Sequence, residues 1–308
     1  LHDALPICDL GRLAYADIGR DGSTAVHIFT TVDLNEKDEL AYLFQINDER
    51  AALLRTRGIG GLKDVTLENG HLLLSLPGSS KTLVDKLIRH AEMLRGEQRD
   101  LEIYDDKRLK FLASDHFVVW DVETDLDNSW HTKKIWLIGA LDTRSGELRQ
   151  FFNPNDERAC VEEFLAWMEE RRSAVPVSYS GSRFERKSLE MLGARYCLVS
   201  CAPIASRDYD LCIEIQQSCL HSYRTPWELK PLASAMGYSF RHPNLDGLQV
   251  GLAFSQYLQK KEEPNWKQFL EYNQDDVLSA NHVLQRIRAK YLDGINRNAR
   301  VGTTLSLF

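Results

Sequence analysis

The sequence predicts an α/β protein: a mixed β-sheet flanked by helices, preceded by a small helical region. Three observations carry this expectation. Short apolar runs at 117–123, 135–141 and 148–152 have the length and the branched and aromatic content of buried strands. From about residue 156 the pattern changes to helix, strand and helix in alternation, as in a sheet covered by helices. Between 36 and 98 the helical signals instead come with two Gly-bearing turns.

In chain order, residues 1–35 come first. The chain opens without Met, and Leu1-His2-Asp3-Ala4-Leu5-Pro6-Ile7 resembles translated sequencing-adapter sequence. Residues 1–35 are therefore expected to be the remnant of a truncated upstream domain. In the helical region 36–98, Ala51-Ala52-Leu53-Leu54-Arg55-Thr56-Arg57 leads into Gly58-Ile59-Gly60-Gly61. Further on, Leu74-Ser75-Leu76-Pro77-Gly78-Ser79-Ser80 leads into a helix carrying Leu83, Leu87, Ile88 and Ala91, a helix-hairpin-helix-like arrangement. Ser79 and Ser80 at that helix N-terminus offer backbone N–H groups to a nucleic-acid phosphate. They read equally well as a Ser cap after a turn.

The charged stretch 99–113 reads as a linker, 114–295 as the α/β domain and 296–308 as a tail. In the domain, Ser145-Gly146 turns the second strand into the third, giving an antiparallel meander. A helix over 156–171, a strand over 174–179 and a helix from Phe184 follow. The clearest helix covers 266–291.

At 308 residues, 43% hydrophobic and 27% charged, the chain suits one large or two ordinary globular domains. No apolar stretch nears the roughly 18 residues of a membrane span, which predicts no membrane partner. No secretory signal is visible and the six Cys are scattered, so reduced thiols and a cytoplasmic location are expected. Cys197, Cys201, Cys212, Cys219 and His221 match no regular zinc spacing. A net charge of −7 excludes a surface coated for nucleic acid but allows a local basic groove. Arg183, Arg186 and Lys187 form one candidate cluster; the basic residues between 286 and 300 read as a solvated face.

The chemistry-bearing residues lie at element ends. Asp121 and Glu123 close the first strand run and, being two apart, share one face while Val122 points back. Two carboxylates emerging from a buried strand repel and lose hydration, which a hard divalent cation offsets. At about 100° per residue, Phe269, Tyr272, Asp276, Ala280, Val283 and Ile287 fall on one narrow helical stripe. A carboxylate within an apolar stripe needs a metal, a backbone donor or an Arg. Asp275, about 100° away, is expected to be solvated.

Together, Asp121-x-Glu123 and Tyr272-x-x-x-Asp276 resemble the DEDD superfamily of ribonuclease H-like exonucleases, in the subgroup with a Tyr in the third motif. The middle motif of that family matches Tyr179-Ser180-Gly181-Ser182-Arg183-Phe184-Glu185, where Ser180 stands for Asn and Glu185 for Asp. Trp136-Leu137-Ile138-Gly139, Tyr209-Asp210-Leu211, Trp227-Glu228-Leu229-Lys230 and Asp246-Gly247 extend the likeness over most of 115–290. It looks most similar to the domain appended to RecB-family nucleases, which implies an upstream RecB-like module as partner. The resemblance implies a ribonuclease H-like fold and two Mg²⁺ or Mn²⁺ ions held by Asp121, Glu123, Glu185 and Asp276. Tyr272 would orient the attacking water, and DNA or RNA would be cut from a single-stranded 3′ end. Arg183 and Lys187 would contact phosphates and Trp130 would stack on a base, while Trp136 packs in the core. The substitution at Glu185 leaves open a degenerate module that binds nucleic acid without cleaving it.

Overall fold

The computed structural model describes residues 12–18, 24–30, 39–96, 100–127, 129, 132–182 and 184–305, with backbone alone for the two strands before 39 and for 296–305. The expectations for Trp130 and Arg183 fall outside these residues. Among the described residues no helix is long and apolar enough to cross a membrane. Two compact units divide the chain, 1–95 and 96–308.

In the first unit β1 (Arg12–Ile18) and β2 (Thr24–Thr30) pair antiparallel. Three helices follow: α1 (Asp48–Thr56), α2 (Gly70–Leu74) and α3 (Lys81–Arg95). Asn47 starts α1 by accepting the Arg50 amide at 2.9 Å, a side-chain cap. Leu54, Ile59, Leu62, Leu73 and Leu87 are buried together and form this unit's core. Between α2 and α3 the turn contains Gly78 at φ +71°, a left-handed backbone suited to glycine.

The second unit opens with β3 (Leu101–Ile103), then β4 (Phe117–Thr124), β5 (Ile135–Asp142) and β6 (Leu148–Phe152). It continues with α4 (Glu157–Glu169), β7 (Val175–Ser178), α5 (Glu185–Tyr196), α6 (Cys201–Arg207), β8 (Tyr209–Asp210) and α7 (Leu211–Ser218). Last come β9 (Cys219–His221), α8 (Leu229–Ala235), α9 (Gly247–Lys260) and α10 (Trp266–Leu305). Five strands form one sheet in the order β6-β5-β4-β7-β8. The expected meander makes its antiparallel half, and β7 and β8 add in parallel.

Side-chain alternation along β4 sorts the two cores. Val118, Trp120 and Val122 pack with Phe164, Leu189 and Ile204 on the side of α4, α5 and α6. Phe117 and Val119 pack with Val277, Val283 and Ile287 of α10 on the other. Asp121 and Glu123 continue the second set, so the strand's own period aims both at α10. Trp136 is fully buried, stacked on Phe254 at 4.9 Å between ring centroids.

Two boundaries differ from the sequence reading. The segment read as a linker belongs to the second unit: Leu101, Leu109, Phe111 and Leu112 are buried in its core, and β3 pairs with β9. Its charged residues alternate with these apolar ones, so a charge run conceals half-buried structure. The segment read as a tail continues α10, whose backbone runs to Leu305.

Candidate active site

β4 and α10 bring three carboxylates together. Asp121, Glu123 and Asp276 each offer an oxygen, and these oxygens lie within 4.8 Å of one another. Asp121 faces Gly139 across the β4–β5 ladder and Glu123 faces Leu137, with the register shifting just beyond Glu123. On α10, Tyr272 and Asp276 stand one turn apart, as the helical stripe requires. Protonated Tyr272 hydrogen-bonds the Asp276 carboxylate.

Electrostatics strain this cluster. Burial first, then the charge of Asp276, pushes Asp121 up to about 8. Burial and the charge of Asp121 hold Glu123 well above the usual carboxylate range. Asp276 is pushed up to about 6 by burial, against the pull of Lys230. Like charges held close and out of water favour the protonated forms until a cation neutralises them. The donor set fits such a cation: it is made of hard oxygens, and Asp276 Oδ1 is buried with no hydrogen-bond partner.

Glu185, the first residue of α5, reaches the same place from the other core. It is buried, it hydrogen-bonds Asp121 when protonated, and its Oε2 has no partner. Burial first, then Asp121, raises it well above its ordinary range. Its oxygens are outside the trio within 4.8 Å. The loop ahead of it is tightly held. Asp210 accepts the Ser180 amide at 3.1 Å and the Ser182 amide at 2.9 Å, while Ser180 sits at φ +65°. A Cβ on Gly181 would stand 1.7 Å from Ser178 Oγ.

Residues 118–288, more than half of the chain, match the family described as the RNase H superfamily. The chain belongs to the RNase H superfamily. The mixed five-stranded sheet with helices on both faces is the fold expected of it. Membership supports a nuclease-like function. Among solved structures, a family B DNA polymerase from the archaeon Pyrobaculum calidifontis aligns with 90% of this chain and 45% of its own, at 12% identity and a TM-score of 0.44. The chain thus spans less than half of that polymerase's length. No curated protein matches the sequence.

In this RNase H superfamily domain the carboxylates open into a cleft of about 350 Å³ whose walls include Leu126, Lys133, Phe184 and Leu248. Lys133 donates to the Asp125 carbonyl at 3.0 Å and is buried at the cleft wall, with desolvation lowering its pKa. Lys230 lies 4.3 Å over the Tyr272 ring and donates to the Leu245 carbonyl, tying the segment before α9 to the Tyr272 face.

The other expected residues are placed less directly. Lys187 is exposed on α5 and is not part of the cleft wall. Arg186 is paired with buried Asp208 at 3.1 Å. In the first unit, Ser80 Oγ accepts the Leu83 amide at 3.2 Å, the helix-cap reading of that turn, and Ser79 Oγ is buried without a partner. Asp275, expected to be solvated, is only 4% exposed, because Tyr238 and Arg241 close over it and donate to both of its oxygens.

Sequence reasoning missed Asn273 and Lys133, and it placed Lys230 in the Trp227-Glu228-Leu229-Lys230 match without a role. Asn273 had a usable signal: it stands three residues before Asp276, hence on the same helical face. Lys133 had none, since a loop lysine carries no periodicity.

Proposed function

We propose that this domain is a metal-dependent DEDD-type nuclease that hydrolyses phosphodiester bonds, acting as a 3′→5′ exonuclease on single-stranded ends of DNA or RNA. The observation that carries the reading is the convergence of Asp121, Glu123 and Asp276 from a strand and a distant helix at an open cleft. Polarity and strandedness rest on the family resemblance.

Asp121, Glu123, Asp276 and Glu185 would hold two Mg²⁺ or Mn²⁺ ions. When bound, such ions lower the pKa of the attacking water and offset charge on the leaving oxygen. Burial and Asp276 push the Tyr272 phenol far above its ordinary value, so it stays protonated at neutral pH. Tyr272 therefore orients by donating a hydrogen bond and does not serve as base. Phe184, Leu126 and Leu248 give the cleft an apolar wall for a base or sugar, and Lys133 adds positive charge beside it. Arg183 and Lys187 are assigned to phosphates and Trp130 to base stacking. Ser79 and Ser80 of the helical unit are assigned to a phosphate contact.

The test is cleavage of an end-labelled single-stranded oligonucleotide with Mg²⁺ or Mn²⁺. Metal-stimulated loss of 3′ nucleotides that Asp121→Ala abolishes is expected; full activity in Asp121→Ala overturns the reading. One observation favours a second reading, a binding module serving a linked RecB-like nuclease: Glu185 replaces Asp and stays outside the close oxygen trio. That reading expects binding that weakens steeply with salt and no metal-stimulated cleavage.

A further inference from the structure

We infer that Asn273 is a positioning residue of this site: an amide relay running from Gln150 through Asn273 fixes the Asp121 carboxylate in the orientation that receives a cation. The inference rests on reading the cluster as a metal centre, but not on its being a nuclease.

The register of the sheet builds the relay. Asp121 of β4 stands opposite Gly139 of β5, and Gly139 opposite Gln150 of β6, so the three occupy one row across the strands. Asn273 of α10 lies over the glycine in the middle of that row. A Cβ on Gly139 would come within 2.2 Å of Asn273 Oδ1 and 3.0 Å of Val277 Cγ2. Only bare backbone at 139 lets the amide settle against the strand and span from Gln150 to Asp121.

The direction of the relay follows from hydrogen-bond chemistry. Gln150 Nε2 donates to the Leu270 carbonyl at 2.8 Å, an acceptor with no alternative role. This fixes which end of the Gln150 amide is nitrogen, and the same nitrogen donates to Asn273 Oδ1 at 3.1 Å. With its oxygen engaged there, Asn273 presents Nδ2 to Asp121 and donates to Oδ2 at 2.9 Å. It hydrogen-bonds Glu123 as well. A main-chain carbonyl of α10 thereby sets two amides in turn, and the last aims a side-chain donor at a carboxylate that packs among other acids and is otherwise held by the Val122 amide. Asn273 is fully buried, so its own amide is oriented by these bonds and not by water. One pinned oxygen fixes the plane of the carboxylate, as partners behind metal ligands commonly do.

Mn²⁺ affinity, by calorimetry and by the spin-resonance signal of bound Mn²⁺, tests this on the full chain, with melting temperature measured in parallel. Asn273→Ala is expected to weaken Mn²⁺ binding roughly 10–100-fold. Gln150→Glu is the sharper variant, because it removes no group from the carboxylate cluster. A carboxylate at 150 cannot donate to Leu270 or to Asn273, so the Asn273 amide turns and its oxygen meets Asp121. Weakened binding in a folded Gln150→Glu supports the relay even where Asn273→Ala fails to fold. Wild-type Mn²⁺ affinity in a folded Gln150→Glu or Asn273→Ala overturns it, as does a wild-type chain that binds no Mn²⁺. A wild-type chain that binds Mn²⁺ and cleaves nothing leaves the relay standing and removes the nuclease.

Discussion

Lys230 holds its ammonium 4.3 Å above the ring of Tyr272, one helical turn from Asp276. The contact joins a cation–π pair to an electrostatic one, since the same charge pulls the Asp276 pKa down against its burial. Replacing Lys230 by Met removes that pull and raises Asp276 above its value of about 6. Metal binding needs the carboxylate ionised, so the acidic limb of a cleavage pH profile should move upward by roughly one unit. An unmoved limb in Lys230→Met would show that the lysine acts through packing alone.

The metal-free protein should lose stability as pH rises, the reverse of most acidic surfaces. Asp121 is raised from 3.8 to about 8 and Asp276 from 3.8 to about 6, both chiefly by burial. Groups with native values above their unfolded ones bind more protons when folded. Their contribution is complete below the ordinary carboxylate range and fades as pH climbs through the native values. Melting temperature in chelator should therefore fall between about pH 4 and about pH 8, with Asp121→Asn flattening the slope. Added Mn²⁺ should recover the loss near pH 8 and do little near pH 5, where protons compete.

The turn before Glu185 should be sensitive out of proportion to its size. Gly181→Ala places a Cβ 1.7 Å from Ser178 Oγ, a buried hydroxyl itself held at 2.6 Å by Asp208. Neither group can give way cheaply, so a loss of about 1–3 kcal/mol is expected in denaturant melts. Asp210→Ala strips acceptors from the amides of Ser180, Ser182 and Ile213 together, for about 2 kcal/mol or more. Both changes should also lower cleavage, because Glu185 begins the helix that this turn leads into. A variant with wild-type stability would refute the constraint.

Local periodicity explains why the trio was legible and its neighbours were not. Strand alternation alone puts Asp121 and Glu123 on one face, and helical phase alone puts Asp276 in an apolar stripe. Asp275 was misread because phase describes one helix, whereas its burial comes from Tyr238 and Arg241, over thirty residues away. The stretch ahead of β4 was misread for a similar reason: its charges are local, but the core that takes Leu109 and Leu112 is assembled by α7 and α10. Asn273 has meaning only once the β4–β5–β6 register places Gly139 beneath it.

Substitution at Glu185 separates cleaving from merely binding. Its side chain is one methylene longer than the Asp of the resembling motif, yet it is buried against Asp121 with Oε2 unpartnered. An unsatisfied buried oxygen on a constrained helix start is costly unless something occupies it. If a cation does, the longer arm is an adaptation of position, and the carboxylate itself is what matters. Glu185→Ala should then reduce Mn²⁺-dependent cleavage roughly 10–100-fold, while stability in chelator falls by the roughly 1 kcal/mol or more of the lost hydrogen bond to Asp121 and the space left behind. Glu185→Asp should retain cleavage, with a changed preference between Mg²⁺ and Mn²⁺ as the oxygen draws back. A module that only binds nucleic acid would show the stability loss in Glu185→Ala without any metal-dependent rate to lose.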